Sequence, residues 1–131
     1  MDPLISLRLG EPRRVYYPGD MLKIEYQVDA LQPRDLQAIE ASVLWYTEGK
    51  GDEDLGVHYF ERRVTSDTVD GNLCQLYGFQ TQLPNSPMSY WGMIIRIRWC
   101  VRVRVFLRGG KDACLEHPFQ LGNLPPAPVP A

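Results

Sequence analysis

One stretch of the chain contains the residues whose type and spacing could do chemistry. Within residues 95–105, arginine occupies four of the five even positions: Arg96, Arg98, Arg102 and Arg104. Guanidinium groups are planar forks of N–H donors that match the oxygens of carboxylates and phosphates. The row therefore predicts a binding face for an acidic or phosphorylated segment of a protein partner. On the alternative interpretation, the same arginines lie in water and pair with acids of neighbouring strands, such as Glu25 or Glu40.

The other residues of this stretch predict the element that must present the arginines. Apolar residues occupy the odd positions: Ile95, Ile97, Trp99, Val101, Val103, Val105 and Leu107. An alternation with a period of two is typical of a β-strand, whose successive side chains point to opposite faces. At ~3.4 Å per residue, a strand over residues 95–107 would be roughly 44 Å long. We expect its odd side chains to face a hydrophobic core and its arginines to face outward.

Catalysis finds little support in the sequence. His58 and His117 are the two histidines of the chain, and each lies beside an apolar strand, where a structural histidine is usual. Cys100 and His117 could meet in space, but no third residue that would orient them is recognisable. The sequence therefore predicts a non-enzymatic protein without catalytic residues and without a cofactor.

The acidic triplet Asp52-Glu53-Asp54 raises the question of a metal site. Calcium takes several oxygen ligands that surround the ion, and one triplet in a loop supplies too few of them. We therefore predict a solvated turn and no bound metal. A calcium- or membrane-associated β-sandwich of the C2 kind is the alternative that this triplet keeps open.

Edge strands offer a further route to binding. An antiparallel sheet leaves unpaired N–H and C=O groups along its edges, and a peptide can add there as an extra strand. Two edges that pair with each other would form a homodimer by the same physics. The sequence therefore leaves open both recognition by strand addition and a self-assembling structural domain.

Length and composition limit the class of protein. The 131 residues fit one domain, and a hydrophobic content of 44% is typical of a folded globular protein. The formal net charge of −2 gives the molecule no general attraction for nucleic acid, so we expect no nucleic-acid partner. The sequence shows neither a leader-like start nor an apolar run long enough to span a membrane.

The cysteine pattern bears on the redox environment. Cys74, Cys100 and Cys114 match no zinc motif in their spacing. A turn at Gly109-Gly110 would place Cys114 opposite residue 105 or so, and not opposite Cys100. A disulfide between them would need a different register. We therefore expect reduced, mostly buried thiols and a cytoplasmic location.

Alternating or apolar runs predict six further strands around the long one. Their residues are 4–9, 22–29, 39–47, 56–64, 73–83 and 113–121. Between residues 84 and 92, two prolines are expected to keep the chain out of any ladder. Short turns and the near absence of helical patterns favour an all-β antiparallel sandwich of about seven to eight strands over residues 1–122. We expect the proline-rich residues 123–131 to form a disordered tail or the start of a linker.

Three segments together resemble the arrestin family of β-sandwich domains. The first is the turn Tyr17-Pro18-Gly19-Asp20, which leads into an alternating strand up to Val28. The second begins at Phe79, includes a Leu-Pro, a Ser-Pro and an aromatic-glycine step, and continues into the arginine-bearing strand. The third, Pro118-Phe119-Gln120-Leu121, is similar to the strand that closes such a domain.

The resemblance implies an immunoglobulin-like β-sandwich of the arrestin type and a protein that works as an adaptor or scaffold. Members of the family usually have two such domains in tandem, whereas this chain has room for one, of the N- or the C-type. Ile24 stands at a position that is often glycine in the family. The buried charged cluster by which visual arrestins sense phosphate has no counterpart, so the resemblance assigns no binding residues.

Overall fold

The computed structural model describes residues 3–11, 15–30, 32–51 and 53–122. These residues form nine strands and two single 3-10 turns, Pro33–Asp35 and Thr65–Asp67. The strands are β1 (Leu4–Leu9), β2 (Val15–Tyr16), β3 (Met21–Asp29), β4 (Leu36–Gly49), β5 (Leu55–Val64), β6 (Leu76–Gln82), β7 (Tyr90–Trp91), β8 (Ile95–Leu107) and β9 (Asp112–Leu121). The predicted all-β class is confirmed, and the proposed tail lies outside the described residues.

The strands form two sheets around one core. The smaller sheet has the order β1-β3-β6 and is antiparallel throughout. The larger sheet has the order β2-β9-β8-β4-β5, and β7 pairs with one end of β8. Its pairs are antiparallel except that between β2 and β9, which is parallel. This arrangement is the β-sandwich that the alternating pattern predicted.

Alternation decides which side chains fill the core. The fully buried apolar residues of β3 and β8 are Leu22, Ile24, Tyr26, Val28, Trp99, Val101, Val103 and Val105. Ile95, Ile97 and Leu107 at the two ends of β8 are only half-buried. The reason is length, because β8 has 13 residues whereas β1, β3 and β6 on the facing sheet have 6, 9 and 7.

Two local predictions are wrong. Tyr90 and Trp91 do join a ladder, opposite Ile97 and Arg96 of β8, because both prolines precede them and leave their N–H groups free to pair. The thiols are not mostly buried: Cys100 is buried and Cys74 half-buried, but Cys114 is exposed. Cys114 lies opposite Arg104, one residue from the expected position. Its strand, β9, is covered along its other edge only by the two residues of β2.

A polar network joins the two sheets at β5, and nothing in the sequence pattern predicted it. The Glu61 carboxylate accepts hydrogen bonds from the hydroxyls of Tyr26 on β3 and Tyr59 on β5. The Arg63 Nε–H donates to the Tyr26 oxygen at 2.9 Å and to Glu61 at 3.1 Å. Burial, reinforced by the hydrogen bond to Glu61, raises the pKa of Tyr59 to about 12 and raises the pKa of Tyr26 as well. Both hydroxyls therefore stay protonated and act as donors.

Candidate protein-binding surface

The arginine row lies on the outer face of the larger sheet, as the alternation predicted. β8 is central in this sheet, paired with β4 on one side and β9 on the other. The register places Glu40 of β4 and Cys114 of β9 on either side of Arg104. Because side chains at paired positions share a face, Arg102 and Arg104 each meet side chains from both β4 and β9.

Three of the four arginines are in ion pairs on this face. The pairs and their N–O distances are Arg98–Glu48 at 3.3 Å, Arg102–Glu116 at 3.2 Å and Arg104–Asp112 at 2.6 Å. Arg104 donates to Asp112 through both Nε and one terminal nitrogen. These side chains are roughly a third to a half exposed, so water screens each pair and its contribution to stability is small.

The acids in these pairs differ from the two that the sequence suggested. Glu25 lies on the smaller sheet and pairs with Arg8 of β1 at 2.5 Å. Glu40 is a neighbour of Arg104 in register, but its carboxylate accepts a hydrogen bond from Arg62 on its other side at 2.6 Å. The assignment of partners therefore depends on strand order, which alternation along one strand does not specify.

Arg96 has no carboxylate partner within the described residues. Its guanidinium lies 4.9 Å from the centroid of the Trp91 ring, and that of Arg98 lies 5.9 Å from the same centroid. Trp91 occupies this place because it pairs with Arg96 between β7 and β8. A guanidinium over an indole face is attracted by the ring quadrupole, so the ring holds two cations at the end of the row.

Exposed apolar side chains surround this end of the sheet. They come from the connection between β6 and β8 and are Met88, Tyr90, Trp91, Met93 and Ile94, with exposures from 41% to 75%. We call Trp91, Met93, Ile94, Arg96 and Arg98 the Trp91 surface. Tryptophan, methionine and arginine are enriched in protein–protein interfaces, and exposed apolar patches mark interaction sites.

Two depressions flank Trp91 and Arg96. One has a volume of about 400 Å³ and includes Lys50, Met93, Ile94 and Arg96. The other has a volume of about 640 Å³ and includes Trp91 and Arg98. Lys50 adds a third cation to this end of the sheet, and Glu48 is the one acid that lines either depression in the part of the chain that the structure describes.

Cys100 occupies the middle of the outer face. Cys100 lies opposite Leu44 and both are buried. Burial, with the Glu116 carboxylate 3.5 Å away, raises the pKa of the Cys100 thiol to about 12, so the nucleophilic thiolate is disfavoured. The suggested meeting of Cys100 and His117 is wrong, because His117 pairs with Val101 and shares its face, opposite to that of Cys100.

The other residues that the sequence raised as candidates form hydrogen bonds within the fold. His58 Nε2 lies 2.8 Å from the Gln82 carbonyl oxygen and 3.1 Å from the Thr81 hydroxyl, between the two sheets. Asp54 Oδ1 accepts a hydrogen bond from the Leu55 N–H at 3.0 Å, while Asp52 lies outside the described residues.

The described residues contain no group of three or more side chains that could hold a metal ion. Nor do they contain a helix long and apolar enough to cross a membrane.

The two facing sheets and their strand order define an arrestin-type β-sandwich. The chain belongs to the arrestin family, because residues 3–126 match the family model described as Arrestin (or S-antigen), C-terminal domain. This match confirms the resemblance found in the three sequence segments.

One solved structure with a similar fold is Spo0M, a sporulation control protein from Bacillus subtilis. Its TM-score is 0.62 at 14% sequence identity, over 93% of this chain. The match covers 50% of Spo0M, so this chain spans about half of that protein's length. No curated protein sequence matches the chain.

Proposed function

We propose that this domain is a non-enzymatic protein-interaction module that binds acidic segments of a partner protein at the Trp91 surface. The observation that carries the proposal is Arg96, an exposed cation without an acid partner in the described chain, placed beside the exposed ring of Trp91. Membership of the arrestin family supports the general role, since domains of this type typically mediate protein interactions.

The ion pairs explain why one end of the row is favoured over the other. A carboxylate that approaches Arg102 must compete with Glu116, whose carboxylate lies 3.2 Å from that guanidinium, and one that approaches Arg104 must compete with Asp112, which already accepts its hydrogen bonds. Arg96 carries no such competitor, and its fork of donors can engage a carboxylate or phosphate directly. The proposal therefore places the main contact at Arg96, with Arg98 beside it, and gives the acid-paired Arg102 and Arg104 a minor part.

Arg96→Gln is expected to weaken binding of acidic peptides by about tenfold, because hydrogen bonds to a charged group contribute more than neutral ones. The measurement is binding to an array of acidic, phosphorylated and basic peptides, followed by calorimetry on those retained. Arg104→Gln is the matched control, and it should stay within about twofold, since the Arg104 guanidinium is already engaged by Asp112.

Neither substitution should lower the thermal midpoint by more than a few degrees, because both side chains lie on the surface. Equal peptide affinities of the wild type and Arg96→Gln would show that the Trp91 surface is not the peptide-binding site. A preference for the basic peptides would contradict the proposed partner class.

A second candidate surface is the outer edge of β9. β2 covers this edge only at Gln120 and Leu121, and no other described strand pairs there. Pro118 has no N–H, so we expect the backbone groups of the even residues of β9 to point away from β8. The N–H of Gly122, which is also an even position, points away from β8 as expected, because it donates to the Tyr16 carbonyl of β2 at 2.7 Å.

If a peptide adds as a strand at β9, Cys114→Pro is expected to weaken its binding several-fold, by about two- to tenfold. The substitution removes one outward N–H and leaves the ladder to β8 intact, since the odd residues of β9 supply that ladder. Calorimetry with a peptide retained by the array measures the effect, and Cys114→Ala is the control. Equal affinities of the two variants would exclude strand addition at this edge.

A further inference from the structure

A notch interrupts the larger sheet where β7 and β9 separate along the same side of β8. β7 pairs with Arg96 and Ile97, and β9 begins to pair only at Trp99. Arg98 lies between them, and none of the described strands pairs with it on that side. The depression left there is the one with a volume of about 640 Å³, within the range of pockets that accept small ligands or side chains.

The floor of the notch is apolar and fixed. It is formed by Trp99 and Phe119, which are 1% and 7% exposed, with ring centroids 5.9 Å apart. The indole N–H of Trp99 donates to the Pro87 carbonyl at 2.8 Å, so the floor presents no unpaired donor from this ring. On the wall, the Ser89 hydroxyl accepts a hydrogen bond from the Leu121 N–H at 2.8 Å. Such a site favours an apolar group over a polar one.

The rim of the notch is different in character. Arg98 and His117 lie on it together with the exposed ring of Trp91, and no carboxylate lines the notch within the described residues. Arg96 stands on the far side of the Trp91 ring. Arg98 is already paired with Glu48, so Arg96 is the cation of the described chain that remains to complement an acidic residue beside an apolar occupant.

We infer that the notch receives one large apolar side chain of a partner peptide, aromatic or branched aliphatic, whose neighbouring residues are acidic. The inference rests on the proposed function, because Trp91 and Arg98 belong both to the notch and to the Trp91 surface. It adds a requirement that the basic surface alone does not impose. Recognition needs an anchor side chain in addition to negative charge, as in interfaces where buried anchors dominate affinity.

Synthetic peptides that place tryptophan, leucine or alanine between runs of glutamate test this inference. We expect the tryptophan and leucine peptides to bind about tenfold more tightly than the alanine peptide in calorimetry, because only the first two bury a large apolar side chain. A tryptophan peptide flanked by lysine should not bind, and tight binding by that peptide would overturn the charge complementarity.

His117→Trp provides the test on the protein side. His117 is exposed and lines the notch, so an indole at this position should fill the space and abolish the preference for tryptophan and leucine over alanine. Leu115→Trp is the matched control, since Leu115 lies on the same face of β9, is 38% exposed and does not line the notch. This variant should keep the preference.

The outcomes separate the two proposals. Equal binding by all three glutamate peptides, with binding still weakened about tenfold in Arg96→Gln, would overturn the anchor inference and leave the proposed function standing. Loss of the preference in Leu115→Trp as well as in His117→Trp would also overturn the assignment to the notch. Failure of every acidic peptide to bind the wild-type protein would overturn both.

Discussion

Trp99→Ala is expected to lower the free energy of unfolding by about 3–5 kcal/mol, the largest effect of any single substitution considered for this domain. The indole is 1% exposed and packs between the sheets against Phe119 and His58, with centroids 5.9 and 6.2 Å away. Truncation would leave a cavity and would also leave the Pro87 carbonyl without its donor. Urea denaturation followed by circular dichroism measures the change.

Trp91→Ala is the control for this experiment, because Trp91 is the same residue type on an adjacent strand but is 41% exposed. We expect it to cost about 1–2 kcal/mol, well below the loss at Trp99, because a large part of its surface is already in contact with water. Equal losses for the two variants would show that the core is not organised around Trp99.

Glu61→Ala is expected to destabilise the domain by about 2–4 kcal/mol, the second largest effect. The Glu61 side chain is 16% exposed, and its carboxylate accepts hydrogen bonds from two tyrosine hydroxyls and from the Arg63 guanidinium. Its removal takes away the acid partner of Arg63 and the acceptor of both tyrosine hydroxyls that the described residues supply. Denaturation at neutral pH measures the loss.

Glu40→Ala is the matched control for the effect of Glu61. Glu40 also pairs with an arginine, Arg62 of β5, but that pair lies on the outer face, where the Arg62 and Glu40 side chains are 47% and 23% exposed. We expect a change of about 0–1 kcal/mol, because water and salt screen an exposed pair. A loss as large as that of Glu61→Ala would contradict the assignment of the inter-sheet network as the stronger interaction.

Much of the fold could be predicted from the sequence because its signals are local. The alternation over residues 95–107 predicted β8 with its exact bounds, and the alternation from Leu22 to Val28 predicted the buried face of β3. Side chains of a strand alternate in direction whatever lies beside the strand, so the face of each residue is encoded in its own neighbourhood. The same reasoning placed the arginine row on the outer face.

The candidate site needed contacts between segments far apart in the chain. Trp91 meets Arg96 and Arg98 because β7 pairs with β8. The two upstream prolines were expected to exclude this pairing, and local propensity did not indicate it. The notch arises only because β7 and β9 share one side of β8 and leave Arg98 between them. The residue pattern of a single strand cannot predict such a gap, because the gap depends on where two other strands pair with it.

The sequence by itself determined that this is an all-β sandwich of the arrestin type with a row of arginines pointing outward, because side-chain alternation and turn chemistry are properties of short segments. Only the tertiary structure decided which arginines are neutralised by acids, and that Arg96 is left beside Trp91 at one end. It also placed Glu61 among tyrosines from both sheets. The physical reason is that ion pairs and grooves depend on strand order and register, which are set when distant segments pack against each other.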